Sequence, residues 1–510
     1  MRNKMKKWFL LWGLFLVVST GISQITYEDR IELQLKDGYS REEIKIFGEE
    51  GFILSSKKND SDDDLTEWKF EKFNTYLQSE REVSVKIDED LDPRLNYTTT
   101  ERDHSIYSDR HGNFALISVE AMSMEITKVH GKLPKKFDFD EMVVLGDYAY
   151  VRGDIKSDPV VYAINWKTGT IKMLPVTLEN IKPKKCEISK LQVLEKSKEI
   201  FIYINGDVDK KHSESYAFRF NEEAEYLNKI NLTPQNNNLL NELSASKIED
   251  NKYVFTGTYS VDHYHTSEGV FFCLVENDQV NFIKFHEYAK MENFLKYLPE
   301  KRQEKLEKKK AKMEKKGKVF TLNYRLLTHD VIVDQDGYLL LGEGFYPTYI
   351  THSYTTITYI NGSPVTSIQT YTEFDGYQYT HAMLCKFDKE GNMLWDQIFE
   401  MWGTYKPFYL KKFISITAQD QNMIKMVYTS YNKVHTKALD HEGNILSDTQ
   451  TEEIETNHSG DETKYSFSDI IFWYDNYFIA YGTQKIKNET GNIKFKQTRS
   501  VYFINKIKFE

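Results

Sequence analysis

Leu384–Phe399 reads LCKFDKEGNMLWDQIF: an apolar run closed by an aromatic residue, then an acid, a short polar turn, and a second apolar run. The same form occurs five more times. Val161–Trp166 (VYAINW) continues KTGTIKML, Tyr216–Asn221 (YAFRFN) continues EEAEYLNKINL, and Phe272–Glu276 (FCLVE) continues NDQVNFIKF. Lys437–Asp440 (KALD) continues HEGNILSD, and Val501–Asn505 (VYFIN) continues KIKFE. The polar residues that open the turns are Asn165, Asn221, Glu276, Asp388, Asp440 and Asn505, at spacings of 56, 55, 112, 52 and 65. Two insertions fill the long gap, so one unit is about 50–55 residues.

Each unit opens with a further pair of strands, as in Asp330–Phe345, Ser415–Ser430 and Asp469–Thr483, where Asp-Gly and Asp-Asn are tight-turn signals between apolar or alternating runs. A unit is therefore two hairpins. Four-stranded units at this period predict an all-β chain folded as a β-propeller, in which each blade buries its faces against its neighbours. Related starts at Ile46–Ser55, Ile106–Ser118, Val143–Val151, Ile200–Ile204 and Tyr253–Thr258 bring the number to eight, so seven or eight blades are expected. The segment after Gln24 is placed to pair with the last blade and close the ring; the alternative keeps 24–132 as a separate small β domain. Composition agrees, with 34 Tyr and 31 Phe against 10 Pro.

The first 23 residues carry an export signal: Arg2, Lys4, Lys6 and Lys7, then an apolar run over Trp8–Val18, then Gly21 and Ser23 at peptidase spacing, which sets cleavage before Gln24. The expected location is the periplasm or beyond. No cysteine stands at the cleavage point for a lipid anchor, and no later apolar run is long enough to span a bilayer as a helix. Cleavage removes four positive charges and no negative ones, so the net charge moves from −10 to −14. That excludes nucleic acid as the expected partner. Of Cys186, Cys273 and Cys385, only Cys273 with Cys385 suggests a disulfide, since the two occupy similar places in two units; otherwise all three are core thiols.

Tyr379–Met401 (YTHAMLCKFDKEGNMLWDQIFEM), with Phe374–Tyr377 (FDGY) and the Tyr-rich segment before it, resembles a pattern in large exported repeat proteins of Bacteroidota. The resemblance covers 345–401. It implies an exported repeat fold and a Gram-negative source, and carries no activity and no catalytic residue.

Two insertions interrupt the units. Glu287–Lys318 is rich in helix formers and reads as a helix, or two broken at Pro299, with a narrow apolar stripe of Leu295, Leu298 and Leu306. From Lys301 to Lys318, ten Lys and Arg stand against three Glu, a local charge of +7 suited to an anionic surface. Phe345–Tyr379 (FYPTYITHSYTTITYINGSPVTSIQTYTEFDGYQY) reads as a long hairpin turning at Asn361-Gly362. Alternation sets Tyr349, Ser353, Thr355 and Ile357 on one side and Ile350, His352, Tyr354, Thr356 and Thr358 on the other. Tyr346, Tyr349, His352, Tyr354, Tyr359, Tyr371, Tyr377 and Tyr379 are the expected ligand-binding residues, because aromatic rings bearing hydroxyls suit stacking on sugars or peptides.

The chain has no P-loop, no G-x-S-x-G elbow, no H-E-x-x-H and no C-x-x-C. No cofactor is expected. His263 and His265 beside Asp262 have same-face spacing but no third ligand, and no metal site is expected; Asn59–Glu67 lacks the central Gly of a calcium loop; Asp334–Gly337 (DQDG) is a hairpin turn. The reading is a non-enzymatic binding module of the cell envelope with an unknown protein or glycan partner. The alternative is a propeller glycosidase or lyase, which requires two acids ~5–10 Å apart at the central channel.

Overall fold

At four of the six recurrences the side chain that opens the turn also builds it; Glu276 instead precedes a turn made by Asn277 (φ +52) and Asp278 (φ +61), and Asn505, expected to open a turn, lies inside the last strand, Thr498–Phe509, opposite Ala480. In the computed structural model, the carboxamide or carboxylate oxygen of Asn165, Asn221, Asp388 and Asp440 accepts backbone N–H groups two to four residues on: Lys167 and Thr168, Glu223 and Glu225, Asn392, and Glu442 and Asn444. A short Asn or Asp side chain thus stands in for a backbone carbonyl and fixes the reversal between third and fourth strands. The structure describes residues 25–34, 39–58, 64–209, 212–261, 265–488 and 498–510. The export segment, most of the acidic turn before Leu65, and His263 with Asp262 lie outside them.

Eight antiparallel sheets follow one another along the chain, each with an order that runs from inner to outer strand. The inner strands of blades 1 to 8 are Tyr39–Ile46, Asp92–Thr98, Asp138–Leu145, Cys186–Leu194, Leu239–Glu249, Arg325–Thr328 continued by Ile332–Val333, Ser415–Thr417 and Asp461–Tyr474. The protein is an eight-bladed β-propeller. Blade 8 takes its outer strand from the other end of the chain: Ile25–Gln34 runs antiparallel to Thr498–Phe509, with Ile25 opposite Phe509 and Gln34 opposite Val501. Residues 25–132 form this closing strand and blades 1 and 2.

One apolar cluster fills each of the eight interfaces between neighbouring blades. Second strands such as Glu199–Asp207 are buried on both sides, hence their unbroken apolar runs. The cysteines show why similar places in two units do not make a pair. Cys273 lies in the cluster between blades 4 and 5 and Cys385 in that between blades 5 and 6, and both are buried free thiols, as is the half-buried Cys186 a free thiol.

The closing seam is polar at its edge. Arg499 pairs with Asp461 and, at 2.9 Å, with Glu32 of the closing strand, while Arg30 donates to Asn505 at 2.9 Å. Burial works against a charge on Asp461, yet Arg499 holds its carboxyl down at about 2. Burial likewise holds the imidazoles of His104 and His381 at about 3.

These groups set an acid limit. Each has a folded value below its unfolded one, so the unfolded chain takes up protons first and stability falls as pH falls, from about 6.5 for the histidines and about 4 for Asp461. The thermal midpoint is expected to drop between pH 7 and 4, and Asp461→Asn to lower it at pH 7 by breaking the seam. A second prediction tests the turns. Gly443 has φ +85, and a Cβ there would lie 2.5 Å from the Trp395 ring of the preceding blade, so Gly443→Ala is expected to cost roughly 2 kcal/mol in denaturant unfolding.

Candidate functional site at the axial mouth

Seven of the eight inner strands, or the turns that lead into them, carry a charged residue followed by a buried apolar one: Glu43-Ile44, Glu141-Met142, Lys190-Leu191, Glu242-Leu243, Asp330-Val331, Lys412-Phe413 and Asp469-Ile470. Blade 2 supplies Asn96, which donates to Glu43 at 2.8 Å. In blades 1, 3, 4 and 5 the ladder shifts register at or just before the charged residue. Such bulges re-aim a side chain, and here they turn a charge towards the axis while its neighbour enters the core between blades.

The charges meet across the ring. Lys190 of blade 4 pairs with Asp330 of blade 6, reaching past the inner strand of blade 5. Glu141 accepts from Arg152 Nε at 2.9 Å and from the Leu191 amide at 2.8 Å. Glu343, fully buried behind the rim, accepts from the amides of Phe413 and Ile414 at 2.9 Å and faces His329 Nε2 at 2.8 Å. Lys411 bonds Tyr405 Oη at 2.9 Å and pairs with Asp469 of blade 8.

Two members of the group have no ion-pair partner within 4 Å among the described residues: Glu242 and Lys412. Desolvation pushes the Glu242 carboxyl up, with Glu141 adding to it against the pull of Lys190 and Lys412. Desolvation pushes the Lys412 ammonium down, helped by Lys190. Asp330 goes the other way from Glu242, since Lys190 and then Lys412 overcome its desolvation and hold its carboxyl low. Tyr97 of blade 2 belongs to the same field; burial, then Glu195, Asp330 and Glu141, push its phenol to about 12. Asp330 still exposes 54% of its side chain, so the charges line an open mouth.

Glu242 is also strained. Its φ is +50, a left-handed conformation that a Glu adopts only when the surroundings impose it. The bulge over Asn241–Ser244 does so, with the Glu242 carbonyl accepting from Thr328 Oγ1 at 3.0 Å. Glu242 lines a cavity of about 270 Å³ with Glu187, His265, Tyr324 and Arg325, rimmed by Phe345, Tyr377 and Leu410.

Connectivity puts both insertions on this side. In an up-and-down blade the inner strand starts at the end where the second strand finishes. The connection into blade 6 (288–324) and the loop between its second and third strands therefore share a face, as does the 401–414 connection. Contacts agree: the Tyr377 amide donates to Pro407, Lys406 pairs with Asp375 at 2.7 Å, and Phe374 meets Phe408 with centroids 6.0 Å apart. The hairpin comprises Tyr338–Ile360 and Ser363–Phe387, turning at Asn361 (φ +50) and Gly362 (φ +82).

Of the residues expected to bind ligand, Tyr346, Tyr349, Tyr354, Tyr359 and Tyr371 are exposed along this hairpin, and His352 stacks on Tyr371 at 5.0 Å. Tyr377 is half-buried and belongs to the cavity rim. Tyr379 is corrected: it is fully buried between blades 6 and 7, and its hydroxyl donates to the Lys411 carbonyl at 2.6 Å. Alternation along a strand does not say where the strand leaves the blade and loses its neighbours. The DQDG turn holds a different partner from a metal: Asp334 and Asp336 both pair with Lys386. No group of three metal-ligating side chains occurs among the described residues. Sequence reading missed the axial charges, although a charged-aliphatic pair near the start of most units was there to be found.

No family model and no curated protein sequence matches the chain. Solved structures that are similar include the polysaccharide lyase Uly1 (7% identity, TM-score 0.38, covering 82% of this chain and 90% of that one). They also include the β-propeller domain of the Trilobed protease from Pyrococcus furiosus (9%, TM-score 0.34, 80% and 97%). A third is prolyl oligopeptidase B from Galerina marginata (9%, TM-score 0.38), of which this chain spans 56%. These likenesses concern overall architecture alone.

If the left-handed Glu242 is held for the sake of the cavity, glycine relieves the strain. Glu242→Gly is expected to raise stability by about 1 kcal/mol in denaturant titration, and a loss of stability there would refute the assignment of strain.

Proposed function

We propose that the protein is an exported, non-enzymatic binding module of the cell envelope, and that its ligand is a glycan segment taken at the axial mouth. The observation that carries this reading is the strained Glu242, without an ion-pair partner among the described residues, in a cavity that Arg325 and His265 also line and Phe345, Tyr377 and Leu410 rim. Aromatic and apolar rims offer faces to sugar rings, and a carboxylate and a guanidinium bind hydroxyls from opposite sides of the donor–acceptor balance. Residues 1–23 support export, to the periplasm or beyond. A glycan array probed with the mature chain is expected to return a bound class, with Glu242→Gln or Tyr377→Ala weakening it about tenfold, the worth of one charged hydrogen bond or one stacked ring. An array with no bound glycan would overturn the reading.

One observation favours a second reading, cleavage of the glycosidic bond. Glu242 and Asp330 share the mouth, and their surroundings push the two carboxyls in opposite directions, as an acid and a base require. In that case release of reducing ends from a bound polysaccharide would fall by orders of magnitude in both Glu242→Gln and Asp330→Asn, while binding survives in at least one of them.

A further inference from the structure

The same face carries two appendages that the axial mouth does not use. Beyond its root the hairpin is a bare two-stranded ribbon. Among the described residues its first strand has a second neighbour only as far as Phe345, and its second only from His381 onward, so both edges are free of them. Both of its faces are free as well. Ile350, Tyr354, Val365 and Tyr371 are exposed on one, and Ile357, Tyr359 and Ile368 on the other, Tyr359 by 71% and Ile368 by 73%. Residues 346–372 contain no Asp, Glu, Lys or Arg, in a chain that is 28% charged. A sugar or a peptide strand would cover one face or one edge of such a ribbon. Apolar side chains on both faces fit surroundings that enclose it.

The second appendage supplies charge. The helix Glu300–Glu314 begins just after the buried Phe294, Tyr297 and Leu298. Tyr297 stacks on His381 at the hairpin root at 4.0 Å and its carbonyl accepts from Trp402. Gln303, Leu306, Lys310 and Met313 lie towards the body, with Leu306 and Met313 against the cluster between blades 5 and 6. The remaining basic residues, Lys301, Arg302, Lys305, Lys308, Lys309, Lys312, Lys315, Lys316 and Lys318, are exposed. The rest of the chain is acidic, so an anionic surface attracts this side and repels the others.

We propose that this face docks on an anionic phospholipid bilayer surface, the basic helix on the headgroups and the Tyr, Ile and Thr side chains of the ribbon at headgroup depth. The open edges keep the ribbon at the interface, because unpaired backbone groups do not enter hydrocarbon. Tyrosine is a residue that depth favours. This docking goes beyond glycan binding and does not use Glu242 or Tyr377.

The test is co-sedimentation of the mature chain with vesicles of phosphatidylcholine alone or mixed with phosphatidylglycerol. Binding is expected only to the mixed vesicles and to weaken as salt rises. Lys305→Gln, Lys308→Gln, Lys312→Gln and Lys316→Gln together should weaken it on the order of a thousandfold. Tyr354→Ser with Ile357→Ser and Tyr359→Ser should also weaken it and leave the thermal midpoint unchanged, since all three are exposed. Glu242→Gln should bind vesicles as the parent does, which separates this proposal from the glycan reading. No binding to mixed vesicles at low salt would overturn it. So would a ribbon variant that binds vesicles normally, or one that instead dissolves a dimer seen by sedimentation velocity, since the ribbon would then be occupied by a second copy.

Discussion

Each blade of this protein is a sheet with two apolar faces and no way to bury either by itself. Eight interfaces, each filled by its own cluster, solve that only if the last blade meets the first. The strand Ile25–Gln34 makes the meeting permanent by completing blade 8 from the opposite end of the chain, so two segments nearly 500 residues apart share one ladder. Everything at the axis depends on that closure, because the axial charges come from different blades and converge only when the ring is shut.

Closure brings charges of both signs within reach of one another, and most neutralise locally. Lys190 with Asp330, Arg152 with Glu141 and Lys411 with Asp469 are arranged around the mouth. Glu242 and Lys412 are left over, and both are displaced towards their neutral forms by desolvation. A glutamate held in a left-handed bulge, without an ion-pair partner among the described residues, lining a cavity with an aromatic rim, contributes nothing obvious to folding. That is the pattern of a site shaped for something other than stability.

Some features were legible because their cause is local. The Asx side chain that organises four of the turns, at Asn165, Asn221, Asp388 and Asp440, is read from one residue and its spacing. Asn361-Gly362 announces a hairpin, since two positive φ values are needed there. The expected helix over Glu287–Lys318 is narrower, Glu300–Glu314, with Pro299 just before its first turn, where a missing N–H costs nothing; the segment ahead of it holds one 3-10 turn, Tyr288–Lys290, and no second α-helix. Others were illegible because their cause is distant. Tyr379 continues the period of the exposed tyrosines and yet is buried, as blade 7 covers it. Cys273 and Cys385 match in register but face different interfaces.

The sequence by itself determined the repeat, the four-stranded unit, the two insertions and the charge of each, since these follow from hydrophobic period, turn chemistry and composition within a few residues. Only the tertiary structure decided that there are eight blades, that both insertions rise from one face, and that Glu242, Asp330, Lys190 and Lys412 share one mouth. Those facts depend on how strand direction and register accumulate around a closed ring, and no stretch of chain shorter than the ring contains them.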